Sequence, residues 1–104
     1  MSENSYIVPS NHRGFRAKSV MSVRNGDPLD IAEAEMESGG GGPDPCHTHD
    51  HDHVFYVIEG EAAIVMNGEE TLVKAGEAIH VPGATVHSVW NRSQRPARVL
   101  GVTV

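Results

Sequence analysis

The stretch HVFYVIEGEAAIVMNGEETLVKAGEAIHVPG, residues 53–83, decides the fold class of this chain. Short runs rich in valine, isoleucine and aromatic residues alternate with glycine-containing pairs, a pattern typical of strands joined by tight turns. The Asn67-Gly68 pair stands between apolar residues, which is the strongest short-range signal for a β-hairpin. This segment therefore predicts a succession of short strands and turns.

The flanking sequence extends the same pattern in both directions. AKSVMSV (17–23), TVHSVWN (85–91) and ARVLGVTV (97–104) each have strand-like composition. Roughly eight strands are expected in all, with no strand–helix–strand rhythm, and such a series is typical of a β-sandwich or barrel. IAEAEMES (31–38) contains good helix formers, but its charges fall at every second residue, and this favours a strand.

The glycine-rich run GGGGPDP, residues 39–45, is predicted to be a loop. Neither a helix nor a strand interior tolerates that density of glycine and proline. The run is either a flexible linker or a turn that aims the histidines directly after it.

Length and composition limit the possible functions. A chain of 104 residues is one small domain, and we expect a flexible arm over residues 1–16 and a β-barrel domain over residues 17–104. The net charge of −6 and the absence of a basic stripe argue against a nucleic-acid partner. Cys46 is the only cysteine, and no stretch reaches membrane-spanning length, so the sequence predicts a soluble cytoplasmic protein with no membrane partner.

The run HTHDHDH, residues 47–53, places a histidine at every second position. On a straight strand His47 and His53 would lie roughly 20 Å apart. The nitrogen ligands of one metal ion lie within about 4 Å of one another. Either the segment folds back on itself or it forms a string of weak sites.

Two spaced motifs carry a family resemblance. The first motif consists of Gly41, His47, His49, His53 and Gly60, and the second of Gly76, Pro82, Ala84, His87 and Asn91. Both resemble the motifs of the cupin superfamily, which usually has glutamate where His53 stands and glycine where Ala84 stands. Gly83, one position earlier, could serve the same turn. The resemblance covers residues 31–104 and implies an all-β, single-domain jelly-roll sandwich or barrel of the RmlC-like type.

The resemblance also implies a metal site. It brings His47, His49 and His53 together through a chain reversal and adds His87 from a separate strand, so that these four histidines would bind one divalent transition metal per chain. His51 lies at the apex of the turn and is expected to point away from the ion. Four neutral nitrogens suit Mn, Fe, Co, Ni, Cu or Zn rather than calcium or magnesium.

Strand parity predicts the surroundings of the metal. Phe55 and Val57 share the parity of His53, and Val89 shares that of His87, so these three residues are expected to form an apolar substrate pocket. With histidine in place of glutamate at position 53, the ion keeps its full charge and favours an anionic, chelating small-molecule substrate.

Several other polar residues match no motif position. His12 and His80 are expected to be surface or packing residues, and Asp50 and Asp52, which have the opposite parity, to be solvated. No residue can be assigned from the sequence as a general base.

Two kinds of function follow from the resemblance. The first is an enzyme, a dioxygenase-like oxidoreductase, with a redox-neutral isomerase, lyase or decarboxylase as the alternative. The second is a non-catalytic module that binds a small molecule or a metal. The family resemblance further implies a homodimer, which would cover an exposed strand edge.

Overall fold

The computed structural model describes residues 5–26, 29–47 and 50–104, and for residues 45–47 it describes the backbone alone. This part of the chain forms eight strands and no helix. The strands are β1 Arg13–Val23, β2 Leu29–His47, β3 His53–Glu59, β4 Glu61–Met66, β5 Glu69–Lys74, β6 Ala78–Val81, β7 His87–Trp90 and β8 Ala97–Thr103. Accordingly, no helix that could cross a membrane occurs among the described residues.

The strands form one antiparallel sheet in the order β5-β4-β7-β2-β8-β3-β6, and β1 pairs with the other edge of β2. The sheet curls into a nearly closed barrel. The prediction of an all-β fold in a single small domain is confirmed.

The hairpin between β4 and β5 follows directly from its turn sequence. Asn67 and Gly68 have φ angles of 50° and 85°. A two-residue turn with two positive φ angles matches the twist of the flanking strands, and asparagine followed by glycine adopts it at low cost. The pairing of Met66 with Glu69 fixes the register of the whole hairpin.

The loop predicted over residues 39–45 is wrong, because β2 runs through it as far as His47. Within this run, Gly41 and Gly42 are required by close contact between backbones rather than by a turn. A Cβ atom on Gly41 would lie 2.2 Å from the carbonyl oxygen of Val89, and one on Gly42 would lie 2.7 Å from that of Asn11. β2 therefore passes between β7 and the N-terminal residues at a distance that no side chain would permit.

The strand predicted over residues 31–38 is present as the first part of β2. Its alternate side chains point to opposite faces of the sheet. Ala32 and Ala34 line the interior of the barrel, and Glu33 and Glu35 bind partners on the opposite face. The predicted strand 17–23 begins earlier, at Arg13.

The buried core fills the barrel next to the interior cavity described below. Its residues come from most of the strands and are mainly β-branched or small. They are Met36, Val57, Ala62, Ile64, Val73, Val81, Val89, Ala97 and Val99.

Candidate functional site

An interior cavity of about 230 Å³ lies beside the core. Its apolar wall is made of small and aromatic side chains from β1, β2, β3, β7 and β8, namely Phe15, Ala17, Ala32, Ala34, Phe55, Val89, Val99 and Gly101. Its polar side chains are His12, His53, His87 and Thr103, and Pro9, Gly42 and Pro43 complete the lining. The lining side chains in the described part of the chain include no carboxylate, lysine or arginine.

His53 begins β3, where its backbone pairs with Thr103 of β8. The same neighbour holds its ring, because Nδ1 of His53 lies 3.0 Å from Oγ1 of Thr103. The hydroxyl can accept a hydrogen bond from Nδ1–H, which fixes the rotation of the ring.

His87 begins β7 and is 3% exposed. Its Nδ1 atom lies 2.8 Å from the carbonyl oxygen of Thr85, which can only accept a hydrogen bond. In the neutral ring Nδ1 therefore carries the hydrogen and Nε2 carries the lone pair. This is the tautomer that binds a metal through Nε2, with the second ring nitrogen oriented by a backbone carbonyl.

The two histidines meet inside the cavity. Their ring centroids lie 5.1 Å apart, at an interplanar angle of 59°. Phe55 stacks on His53 at 5.7 Å and lies 6.3 Å from His87, so an aromatic ring borders both imidazoles. In the register of β2 with β7, His47 is the Cα partner of His87.

The remaining members of the predicted metal set fall largely outside the described residues. His49 is not described, and His47 is described only through its backbone. In the ranges that are described, no group of three or more His, Cys, Asp or Glu side chains could hold a metal. The four-histidine site therefore stays a prediction. His51 is exposed.

The predicted pocket residues lie at different depths. Phe55 and Val89 line the cavity. Val57 is completely buried in the core, beyond the lining.

A clasp between two loops was missed at the sequence level. The side chain of Asp52 is about half exposed, and its carboxylate accepts hydrogen bonds from Nε2 of His80 at 2.8 Å and from the backbone N–H of Gly83 at 2.7 Å. The hydrogen bond from His80 has the larger effect, and together the two bonds hold the pKa of the Asp52 carboxyl below its usual value. The clasp ties the residue before His53 to the turn before His87, and strand parity gave no signal for it.

The second motif owes its turn to Ala84 rather than to Gly83. Ala84 has a φ angle of 63°, which lies in the left-handed region that favours glycine. It stands at the position where the motif it resembles usually has glycine. Gly83 is required for another reason, since a Cβ atom there would lie 2.5 Å from the carbonyl oxygen of Asp50. The two adjacent positions therefore have separate constraints.

Asn91, the last residue of the second motif, has a structural role. It is 1% exposed, and its amide donates to the carbonyl oxygens of Arg95, at 2.6 Å, and Met36, at 3.3 Å. Its side-chain oxygen accepts hydrogen bonds from Ser93. A buried amide with these partners fixes the connection between β7 and β8.

These features define a small antiparallel barrel with paired histidines in a largely apolar interior cavity. A family model described as a cupin domain, Cupin_2, matches residues 33–103, so the chain belongs to the cupin family. No curated protein sequence matches the chain.

Solved structures show the same jelly-roll fold at low sequence identity. The RmlC-like cupin from Shewanella frigidimarina NCIMB 400 is 18% identical, with a TM-score of 0.75 over 97% of this chain and 83% of the other. The polyketide cyclase RemF from Streptomyces resistomycificus is 22% identical, with a TM-score of 0.80 over 97% and 73%. KdgF from Halomonas sp. is 20% identical, with a TM-score of 0.76 over 97% and 86%. At these identities the likeness defines the fold and not the activity.

Proposed function

We propose that this cupin holds one divalent transition-metal ion at His47, His49, His53 and His87 and binds a small, chelating organic anion in the barrel cavity. The observation that carries the proposal is the pairing of His53 with His87 inside the cavity. The Nδ1 atom of each ring has a partner on the protein, which is how metal-binding imidazoles are commonly oriented.

The donor set selects the class of metal. Imidazole nitrogen suits Mn, Fe, Ni, Cu or Zn, and affinity for nitrogen sites alone does not choose among them. When bound, the ion would supply positive charge that attracts an anionic chelate and, if redox-active, electrons for dioxygen chemistry.

The cavity limits the size and character of the ligand. A volume of about 230 Å³ corresponds to roughly eight molecules of liquid water, so the ligand has on the order of ten non-hydrogen atoms. Because the described lining side chains are mostly apolar and include no lysine or arginine, the ligand body is flat or apolar, and its charge lies at the end that faces the histidines.

We propose a dioxygenase-like oxidation of such a ligand, because an ion held by these four neutral histidines would supply the redox chemistry and would still be able to bind a substrate. The alternative is a redox-neutral isomerisation, lyase or decarboxylation reaction. We retain this alternative because one structural neighbour is a polyketide cyclase. Oxygen uptake by the iron-loaded protein, with none by the zinc-loaded protein, would support oxidation. Equal turnover with zinc would exclude it.

The metal site is tested by elemental analysis of tag-free protein. We expect about one equivalent of metal per chain in the wild type, a large loss in His53→Ala, and no change in His51→Ala. His51 is the matched control because it belongs to the same histidine run but is exposed. Substoichiometric metal in the wild type, or equal losses in both variants, would mean adventitious binding and would leave a cavity that binds its ligand without an ion.

We further propose a homodimer formed through β1. In the described part of the chain, β1 pairs with β2 alone among the eight strands, and its exposed side chains include Val20 and Met21, at 50% and 52% exposure. An apolar strand edge of this kind is commonly covered by a partner. Light scattering should give twice the mass of the chain, and Met21→Lys should shift the mass toward that of the monomer. A wild-type monomer at micromolar concentration would refute the proposal.

A further inference from the structure

The N-terminal segment, residues 5–12, is attached to the outside of the barrel. Ile7 exchanges two backbone hydrogen bonds with Ala17 of β1, each 2.8 Å long. The Tyr6 hydroxyl donates to the carboxylates of Glu33 and Glu35 at 3.2 and 3.0 Å. The segment therefore has a defined position on the sheet.

The segment then turns inward across β2. The carbonyl oxygen of Asn11 accepts a hydrogen bond of 2.9 Å from the backbone N–H of Asp44. The absence of a side chain at Gly42 allows this approach, since a Cβ atom there would lie 3.0 Å from Cα of His12. As a result, Pro9 and His12 form part of the cavity wall.

The ring of His12 is oriented by two neighbours. Its Nδ1 atom lies 2.7 Å from the carbonyl oxygen of Ser10, and its ring centroid lies 4.5 Å from that of Phe15. Because a carbonyl oxygen only accepts hydrogen bonds, Nδ1 of neutral His12 carries the hydrogen and Nε2 is the acceptor. The described lining includes no carboxylate, and the proposed metal set already uses His53 and His87.

We propose that His12 is the ligand-contacting residue that accepts a proton from a hydroxyl-bearing chelating ligand, such as a catechol, an enol or a hydroxy acid. The inference rests on the proposed function and names the chemistry of its ligand. As the ligand binds, its O–H bond breaks and an N–H bond forms at Nε2 of His12. The ligand remains as an anion beside the imidazolium, and no proton is released to solvent in this step.

The test uses catechol as the probe and the zinc-loaded protein, because zinc does not oxidise the probe. Calorimetry in two buffers of different protonation enthalpy gives both the dissociation constant and the number of protons released per catechol bound. The variant is His12→Gln, which retains a polar side chain but cannot accept a proton. The control is His51→Gln, which changes an exposed histidine outside the cavity lining.

We expect His12→Gln to release up to one more proton per catechol than the wild type and to bind catechol roughly tenfold or more weakly, as for the loss of a hydrogen bond to a charged group. Zinc content should stay the same. A purely structural role of His12 would change the affinity but not the proton count.

Two results would overturn the inference while leaving the metal site intact. One is an unchanged proton count in His12→Gln with one zinc per chain. The other is a zinc-loaded wild-type protein that does not bind catechol. If the wild type does not bind stoichiometric zinc or another divalent metal, the proposed function itself fails, and this inference fails with it.

Discussion

The carboxylate of Glu33 offers the sharpest test of what holds the barrel and its N-terminal segment together. The side chain of Glu33 is only 9% exposed, and its carboxylate binds Arg98, Tyr6 and Lys18. Burial raises the pKa of the Glu33 carboxyl, but the hydrogen bonds from Arg98 and Tyr6 outweigh that effect and hold the pKa below its usual value. Glu70 makes the same kind of pair with Arg92, but there both side chains are about half exposed.

Glu33→Gln and Glu70→Gln should therefore lower the free energy of unfolding by unequal amounts. A hydrogen bond to a charged group contributes about 1.5–3 kcal/mol to the free energy of unfolding. The Arg98 and Lys18 side chains are 41% and 31% exposed, and this solvent exposure reduces the contribution of their interactions with Glu33. We expect a loss of about 2 kcal/mol for Glu33→Gln and at most about 0.5 kcal/mol for Glu70→Gln. For a domain of this size the first loss lowers Tm by roughly 8–10 °C.

Urea unfolding followed by the fluorescence of Trp90, the only tryptophan, measures both losses. The difference in free energy of unfolding between the wild type and Glu33→Gln should be largest at neutral pH. It should shrink as the pH falls below about 4, because a carboxyl with a lowered pKa loses its contribution when it is protonated. Equal destabilisation by the two variants, or a difference that persists at pH 2, would refute the reasoning.

Three further predictions concern the strands and turns around the site. Ala84→Gly should stabilise the fold by about 0.5 kcal/mol, seen as a rise in Tm of roughly 2–3 °C, because relief of the left-handed strain exceeds the added entropy of the unfolded chain; a fall in Tm would contradict this. Gly41→Ala should cost more than about 3 kcal/mol in urea unfolding or prevent folding, whereas Gly39→Ala, with open space at its Cβ position, should cost about 1 kcal/mol; similar costs would rule out the close-approach argument. Asp52→Asn should lower Tm at neutral pH, and its difference from the wild type should vanish as the pH falls below about 4; a difference independent of pH would show that the charge of the clasp contributes nothing.

The strand pattern and the hairpin turns could be predicted because they depend on local sequence. Alternation in residues 31–38 and the Asn67-Gly68 pair act within a few residues, so period and turn chemistry are enough to identify them. The glycine run could not be assigned correctly in the same way. Gly41 and Gly42 are needed because Val89 and Asn11, which are distant in sequence, lie against them.

Parity predicts which way a side chain points but not how deep it lies. Phe55 and Val57 are two residues apart on β3 and face the same side, yet Phe55 borders the cavity and Val57 is completely buried in the core. The boundary between cavity and core depends on how far side chains from other strands fill the barrel. Small residues such as Ala32 and Ala34 leave the space open on the side of Phe55.

The position of His12 shows why part of a site can lie outside every motif. The two histidine motifs are carried by the barrel, and their spacing is set by its strands and turns. His12 reaches the same cavity only because Tyr6 and Ile7 attach the preceding residues to the sheet and Gly42 leaves room for the chain to cross. If the proposed metal site and the proposed role of His12 hold, the barrel would position the metal-binding histidines, and the attached segment would help to determine which ligand is accepted.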